Sequence, residues 1–352
     1  MIGSIRLQNF RSYRDSSFEF DPGVNIIVGP NASGKTNLLE AILVLCRGSS
    51  YRAKDAELVS FGRSWARLDG YFEQQRSLKL EIKDQLPTKT FLIDDKSFKR
   101  LSLERTEPAV LFEPNHLQLL IRGPERRRDY FDELLSRSQP GYKSLLNSYR
   151  RALAQRNALL KNGQAAGHNQ LFVWDVRLSQ LAEKIAIARK ELVDDINKSL
   201  PKTYSAIAGS KTKLELNYQN QFAVESYGSG LLAKLGANAK RDFERGYTAY
   251  GPHREDFIFF LAAKDASTSA SRGETRSIML SVKIYELKLI EKVRGTRPLF
   301  LLDDVFSELD GARRRSLVNF LKDYQAIITT TDAEAVLEYF ASGTQNLISL
   351  TK

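Results

Sequence analysis

The chain has 352 residues, of which 42% are hydrophobic and 27% charged, so general disorder is excluded and a large folded core is expected. Lysine and arginine total 53 against 42 acidic residues, giving a formal net charge of +11. This surplus favours a polyanionic partner such as nucleic acid, although ribosome contact or simple solubility also fits. The single cysteine, Cys46, and three scattered histidines exclude an internal disulfide framework and a zinc enzyme.

No segment predicts a membrane span or a secretory signal. The longest purely apolar run, from Ala41 to Cys46, is too short to cross a bilayer, and residues 1–14 have no apolar signal core. We therefore expect a soluble protein of a reducing compartment, the cytoplasm.

Residues 1–105 have the pattern of an α/β segment. Ile5 and Leu7 alternate with polar neighbours, which is typical of a strand with one buried face. Residues 24–28 form a nearly continuous apolar strand that suits burial on both faces. From Lys35 the apolar residues recur at three- and four-residue spacing, which predicts a helix.

Residues 106–244 are predicted to be mostly helical and to form an arm of antiparallel helices inserted into the core. A heptad seam consists of Trp174, Leu178, Leu181, Ile185, Ala188 and Leu192. An earlier helix spans about 145–160, and segment 162–169, rich in Gly, Ala, Asn and Gln, predicts the connecting loop. Two to three heptads are marginal for a free-standing coiled coil, so an ordinary helical subdomain stays open. We expect the seam to be internal packing.

Residues 245–352 return to an α/β pattern. We predict strands at 257–261, 299–302 and 326–329, and a polar loop at 266–271 before a helix. The predicted domains are therefore 1–105 and 245–352, as two parts of one α/β head, and 106–244 as the helical arm.

The strongest chemical signal is a phosphate-loop pattern, G-x-x-x-x-G-K-[ST], between the strand 24–28 and the helix from Lys35. It consists of Gly29, Pro30, Asn31, Ala32, Ser33, Gly34, Lys35 and Thr36. The glycines let successive backbone N–H groups face a triphosphate, Lys35 would neutralise the β and γ phosphates, and Thr36 would bind Mg²⁺. A chance match in a glycine-containing turn is the alternative, which the strand-to-helix context disfavours.

A second chemical signal is the acidic end of the strand predicted at 299–302. Asp303 would hold Mg²⁺ directly or through water, and Asp304 would polarise an attacking water. A solvent-exposed strand end is the alternative. The long separation from the phosphate loop, and the lack of a guanine-reading N-K-x-D sequence, disfavour a small GTPase.

A third signal is the segment Ser271-Arg272-Gly273-Glu274 before a predicted helix. Ser271 and Gly273 could offer a hydroxyl, backbone N–H groups and a helix dipole to an anion. Taken alone, Ser271 is better explained as an ordinary helix N-cap.

The order of these motifs resembles the ABC-type ATPase heads of the SMC and recombination proteins, and within them the RecF family. The resemblance extends over nearly the whole chain, and its further matches are Asn9-Phe10-Arg11-Ser12-Tyr13, Asp55-Ala56-Glu57-Leu58, Gly123-Pro124-Glu125-Arg126-Arg127-Arg128, Gly251-Pro252-His253-Arg254 and Ser307-Glu308-Leu309-Asp310. Four residues depart from the family pattern: Glu274 stands in place of Gln, Asn115-His116 in place of Glu-Asp, and Glu255 in place of Asp.

The resemblance implies an ABC-type ATPase head of mixed sheet and flanking helices that binds ATP and Mg²⁺. ATP would join two heads, with the phosphate loop of one facing Ser271 and Gly273 of the other, and slow, weakly DNA-stimulated hydrolysis would separate them. The implied role is recombinational gap repair: binding of double-stranded DNA at single-strand junctions, cooperation with RecR and RecO, loading of RecA, replication restart and the SOS response. An SMC-like head that bridges DNA is the alternative, and a transporter subunit is disfavoured.

Arginine clusters are the natural candidates for DNA contacts. The clusters are Arg122 with Arg126, Arg127 and Arg128; Arg150, Arg151 and Arg156; and Arg313, Arg314 and Arg315. Phosphate contacts need only cations on a shared surface. Ion pairs within the chain are an equally good explanation of each cluster.

Overall fold

The computed structural model of the chain describes residues 1–84, 86–162, 168–340 and 345–351. The elements up to the middle of the chain are β1 (Ser4–Phe10), β2 (Tyr13–Glu19), β3 (Val24–Val28), α1 (Lys35–Arg47), β4 (Trp65–Tyr71), β5 (Gln75–Lys83), β6 (Leu86–Ile93), β7 (Lys96–Phe98), β8 (Ala109–Phe112), α2 (Pro124–Ser138), α3 (Tyr142–Lys161) and α4 (His168–Ala208). They are followed by β9 (Leu214–Gln219), α5 (Tyr227–Ala237), α6 (Ala239–Arg245), β10 (Asp256–Leu261), β11 (Lys264–Asp265), α7 (Ala266–Ser269), α8 (Arg272–Arg294), β12 (Leu299–Asp303), α9 (Val305–Glu308), α10 (Gly311–Leu321), β13 (Ala326–Thr330), α11 (Glu334–Leu337) and β14 (Asn346–Ser349).

These elements form two compact units. The first comprises Met1–Leu117, Ala206–Ala208 and Met279–Lys352, and the second Gln118–Ser205 and Gly209–Ile278. The units therefore divide the chain at other positions than the predicted boundaries at 105 and 244. Strand β8 joins the first unit because it pairs with β12, and β10 joins the second because it pairs with β9. Strand pairing between segments distant in sequence decides both differences.

The first unit contains two sheets. Strands β2-β1-β4-β5-β6-β7 form an antiparallel sheet, and β14-β3-β13-β12-β8 form a parallel sheet. Strands β8 and β12 carry unbroken, buried apolar runs, such as Leu299–Leu302, as is typical of parallel strands that are covered on both faces. The predicted strands at 24–28, 299–302 and 326–329 all lie in this sheet.

Helix α1 lies between the two sheets. It contacts β8, β12 and β13 of the parallel sheet and β1, β4 and β5 of the antiparallel sheet. Every residue from Leu38 to Cys46 is consequently buried, which agrees with the apolar character of this helix on most of its circumference. The core prediction for Cys46 is confirmed.

The parallel arrangement brings distant loops to one edge of the sheet. Strands β3 and β12 both pair with β13, one on each side, and all three run in the same direction. The carboxyl ends of parallel strands share an edge, so the loop after β3 and the acidic pair at the end of β12 lie one strand apart. This edge carries the site described below.

The second unit combines helices with a small antiparallel sheet, β11-β10-β9. The seam residues of α4 from Leu178 to Leu192 are buried, and the guanidinium of Arg156 in α3 pairs with Asp175 in α4 and Asp242 in α6. The seam is thus internal packing of a helical subdomain with its own sheet. Residues 163–167 of the predicted loop 162–169 lie outside the described residues.

One local prediction is wrong. The segment 266–271 is not a continuous loop, because α7 occupies Ala266–Ser269. The carboxylate of Asp265 accepts a hydrogen bond from the backbone N–H of Ser267 and caps this short helix.

Candidate functional site

The phosphate-loop residues form the tight turn between β3 and α1 that their pattern predicts. Gly34 has φ +100°, a left-handed conformation that favours glycine. A Cβ at Gly34 would lie 2.9 Å from the Tyr13 hydroxyl oxygen, and a Cβ at Gly29 would lie 2.7 Å from the Leu350 carbonyl oxygen. Both glycines are therefore required by close approach of neighbouring groups.

Lys35 and Ser33 can both donate further hydrogen bonds to an anion at this loop. The Lys35 ammonium, 9% exposed, donates to the carbonyls of Gly29 at 2.7 Å and Pro30 at 2.9 Å. The Ser33 hydroxyl is buried and has no hydrogen-bond partner among the described residues. An ammonium held over the loop and an unpaired donor inside it fit a bound phosphate chain.

Thr36 and Asp303 meet although 267 positions separate them. The Thr36 hydroxyl donates to Asp303 Oδ1 at 3.0 Å, and the Thr329 hydroxyl donates to the same oxygen at 2.7 Å. A hydroxyl beside a carboxylate provides hard oxygen ligands, which suit Mg²⁺. Within the described ranges, protein side chains alone form no cluster of three or more metal ligands. Mg²⁺ at this position would therefore need phosphate oxygens and water as well.

Asp304 has different surroundings from Asp303. Its backbone is left-handed, with φ +50°, and its N–H donates to the Thr329 hydroxyl at 3.0 Å. Burial, together with the charge of Asp303, raises the pKa of Asp304. Its Oδ1 atom is buried and unpaired in the part of the chain that the structure describes. Such an oxygen is available to accept a proton from water.

Ser271 and Glu274 form a capping box at the start of α8. The Ser271 N–H donates to Glu274 Oε2 at 2.8 Å, and the Glu274 N–H donates to the Ser271 hydroxyl at 3.3 Å. Glu274, which departs from the family pattern, thus has a structural role that Gln would also fulfil. The residues lie in the second unit, whereas the phosphate loop lies in the first.

The five arginines predicted as DNA contacts differ in accessibility. Arg126, Arg150 and Arg151 are exposed. Arg127 is buried and forms a bidentate ion pair with Asp256, which disfavours a contact with DNA phosphates. Arg128 is half-buried and donates to the Glu255 carbonyl at 2.8 Å. Arg156, which the sequence analysis grouped with Arg150 and Arg151, is fully buried.

Two acidic residues near the site were missed by the sequence analysis. Glu40 is fully buried in α1 and accepts hydrogen bonds from Arg11 and Arg52. Burial by itself would raise the pKa of Glu40, but these hydrogen bonds and that of Ser50 hold it below its usual value. The signal in the sequence was an acid inside the apolar run of α1.

Glu113, the second of them, directly follows β8, whose partner β12 ends at Asp303. Burial and the Asp303 charge raise the pKa of Glu113. Only the pairing of β8 with β12 reveals the proximity of these two carboxyl groups.

A wide pocket of about 550 Å³ opens beside the first turn of α1. The residues that line it include Arg11 and Ser12 at the tip of the β1–β2 hairpin, Asn37 of α1, and Phe61, whose ring is fully exposed. A flat exposed ring next to polar side chains offers a surface for stacking and hydrogen bonding.

Known proteins resemble this chain over nearly its whole length. The model of the RecF/RecN/SMC N terminal domain matches residues 1–347. The DNA replication and repair protein RecF of Heliobacterium modesticaldum is 36% identical over 350 residues, covering 95% of this chain and 93% of the relative. The chain belongs to the RecF family. The RecF protein of Lactobacillus johnsonii is 35% identical, with the same coverage of both chains.

Solved structures confirm the ABC-type ATPase head predicted for this RecF family member. The recombination mediator protein RecF-ATPrS in the RecFOR pathway superposes with a TM-score of 0.86 at 31% identity, over 96% of this chain and 94% of that one. An Smc head bound to the C-winged helix domain of ScpA has a TM-score of 0.56 at 15% identity over 96% of this chain and 91% of that one, which supports the shared fold. Among the described residues, no helix is both long and apolar enough to span a membrane.

Proposed function

We propose that the protein is an ATP-dependent DNA-binding protein of recombinational gap repair that acts in the cytoplasm. The observation that carries the proposal is the hydrogen bond between Thr36 and Asp303, since it assembles the phosphate loop and the acidic strand into one site. RecF-family relatives named for replication and repair, and a neighbour solved as RecF-ATP in the RecFOR pathway, support the same function.

Each residue of the site has a defined task in this proposal. The phosphate-loop residues Gly29 to Thr36 hold the phosphates, with Lys35 moving from the Gly29 and Pro30 carbonyls to the β and γ phosphates. Thr36 and Asp303 hold Mg²⁺, which when bound neutralises phosphate charge. Asp304 accepts the proton of the attacking water. The pocket beside Asn37 and Phe61 takes the nucleoside.

ATP-dependent dimerisation is the switch in this proposal. Ser271 and Gly273 of one head complete the site around the γ phosphate of the other, because a single head presents only part of the necessary donors. Hydrolysis, which is slow and weakly stimulated by DNA, removes the γ phosphate that both heads contact, and the heads then separate. The dimer binds double-stranded DNA at single-strand junctions, with Arg126, Arg128, Arg150 and Arg151 as phosphate contacts, and acts with RecR and RecO in RecA loading, replication restart and the SOS response.

The alternative of an SMC-like DNA-bridging head receives less support. Helices α3 and α4 have 20 and 41 residues, which correspond to about 30 Å and about 60 Å. Bridging between DNA segments requires arms that are much longer than these.

Sedimentation velocity tests the proposed function. We expect a dimer with ATP and Mg²⁺, a monomer with ADP or without nucleotide, and preferential binding of gapped duplex DNA in the ATP state. Lys35→Met is the control, because it removes the mobile cation of the phosphate loop and should remain monomeric throughout. Identical sedimentation of the wild-type protein in all three nucleotide states would contradict the proposal.

A further inference from the structure

Tyr51 lies in a segment that returns along α1 toward the phosphate loop. The preceding residue, Ser50, donates its hydroxyl hydrogen to Glu40, and the following residue, Arg52, donates to the Asn37 side chain at 2.7 Å. Asn37 is in the first turn of α1, next to Thr36. The aromatic ring of Tyr51 packs against the core of the first unit, which fixes its position.

The hydroxyl of Tyr51 is buried, and no residue that the structure describes forms a hydrogen bond with it. Buried hydroxyl groups nearly always have a partner, because leaving one unpaired costs free energy. An unpaired donor in a fixed position therefore indicates a partner that joins the protein later.

Two of the charged groups around this hydroxyl, Glu113 and Asp303, lie at the carboxyl edge of the parallel sheet. Burial raises the pKa of Tyr51, and the charges of Glu113, Asp303 and Glu40 raise it further, against the opposing effect of Arg52. The hydroxyl consequently stays protonated near neutral pH and can donate. Asp303, the proposed Mg²⁺ ligand, is among the groups close enough to influence it.

We propose that the Tyr51 hydroxyl donates a hydrogen bond to the terminal phosphate of the nucleoside triphosphate held by the phosphate loop. A phosphate brought to Lys35 and Thr36 supplies the anionic acceptor that the hydroxyl otherwise lacks. Tyr51 is then a residue that distinguishes triphosphate from diphosphate. This inference rests on the proposed nucleotide binding and adds a specificity residue to that site.

Tyr51→Phe tests the inference because it removes the hydroxyl and keeps the ring. The melting temperature without nucleotide should be unchanged or higher, since an unpaired buried hydroxyl disappears. Affinity for a β,γ-imido analogue of ATP, measured with Mg²⁺ by calorimetry, should fall at least about 10-fold, as for loss of a hydrogen bond to a charged group. Affinity for ADP should stay at the wild-type value.

Tyr324→Phe is the matched control in the same unit. The Tyr324 hydroxyl already donates to Glu291 at 2.6 Å, so its removal should lower the melting temperature and leave both nucleotide affinities unchanged. Equal losses of ATP-analogue and ADP affinity in Tyr51→Phe, no loss at all, or a lower melting temperature without nucleotide would each overturn the inference. A wild-type protein that binds neither nucleotide would instead refute the proposed function.

Discussion

Asp303 and Asp304 are consecutive residues with unequal surroundings, and the difference suits the two tasks proposed for them. Asp303 accepts hydrogen bonds from Thr36 and Thr329, whereas Asp304 has a buried, unpaired oxygen within the described chain and a raised pKa. The left-handed backbone of Asp304 also departs from the extended conformation of the strand that ends at Asp303.

Asparagine substitutions should separate these two roles. In Asp303→Asn, ATP affinity should no longer increase when Mg²⁺ is added, because a metal ligand loses its charge. In Asp304→Asn, Mg²⁺-dependent affinity should persist while single-turnover hydrolysis slows about 10²- to 10⁴-fold, the usual contribution of a general base. Asp323→Asn, an exposed acid in the same unit, is the control. Hydrolysis at the wild-type rate in Asp304→Asn would exclude it as the base.

His253 makes stability depend on pH. Its ring contacts the Tyr149 hydroxyl at 2.7 Å and the Thr248 carbonyl at 3.1 Å, and burial lowers its pKa to about 4. At pH values between the pKa of His253 in the unfolded chain, about 6.5, and its pKa in the folded protein, the unfolded chain binds the proton more readily. Stability present above pH 6.5 should therefore be lost as the pH falls toward 4, by up to about 3 kcal/mol from this group.

Denaturation of His253→Gln at several pH values measures this contribution. The variant should lose less stability than the wild type between pH 6.5 and 4, whatever its stability at pH 7. Parallel pH profiles for the two proteins would rule out His253 as the source.

At the scale of elements, the first turn of α8 combines a structural and a proposed functional role. The reciprocal hydrogen bonds of Ser271 and Glu274 satisfy backbone N–H groups that would otherwise be unpaired at the helix start. The helix N-cap explanation of Ser271 is thus confirmed, and the proposed γ-phosphate contact would use the same residue.

Two substitutions at Glu274 should separate capping from charge. Glu274→Ala should lower the free energy of unfolding by about 1 kcal/mol, because the box is broken, whereas Glu274→Gln should change it by only a few tenths of a kcal/mol. Urea denaturation provides the measurement. Equal losses in both variants would show that the negative charge, rather than the capping hydrogen bond, stabilises this turn.

At the scale of the whole molecule, the positive charge of the chain is divided between structural and exposed arginines. Arg127, Arg156 and Arg189 are buried and paired with aspartates. Removing one partner of these pairs should destabilise the second unit, since it leaves an uncompensated buried charge. In the proposed function, the DNA contacts therefore fall to the exposed members of the clusters.

Salt titrations of DNA binding should show this division. Affinity for duplex DNA should fall steeply with salt, and Arg126→Glu or Arg150→Glu should reduce the slope of log affinity against log salt by about 1. Arg177→Glu makes the same charge change at an exposed position of α4 and should leave the slope nearly unchanged. Equal effects of all three variants would indicate a general charge effect instead of a defined contact surface.

A mixture of two inactive variants tests whether sites are shared between heads. Ser271→Arg should bind ATP as a monomer yet fail to dimerise, because its side chain fills the gap around the γ phosphate. Mixed with Lys35→Met, it should form a dimer in which one site carries both changes and the other neither, so part of the hydrolysis should return. Absence of recovery at every mixing ratio, with both variants folded, would argue against action between subunits.

The sequence by itself determined the local chemistry of this protein. The phosphate loop needs Gly29 and Gly34 for its turn, and β12 needs an apolar run before Asp303; both requirements concern neighbours in the chain and are visible as patterns. The helix from Lys35 follows from apolar residues at three- and four-residue spacing, and the strand at 326–329 from a short apolar run.

Only the tertiary structure decided which distant groups meet and which arginines remain exposed. The pairing of β8 with β12 brings Glu113 beside Asp303, and the return of segment 50–52 along α1 places Tyr51 near the site. Arg126 and Arg127 are adjacent in sequence, yet only Arg127 is buried against Asp256. Such outcomes depend on strand order and on the face that each element turns to the core, which local spacing does not specify.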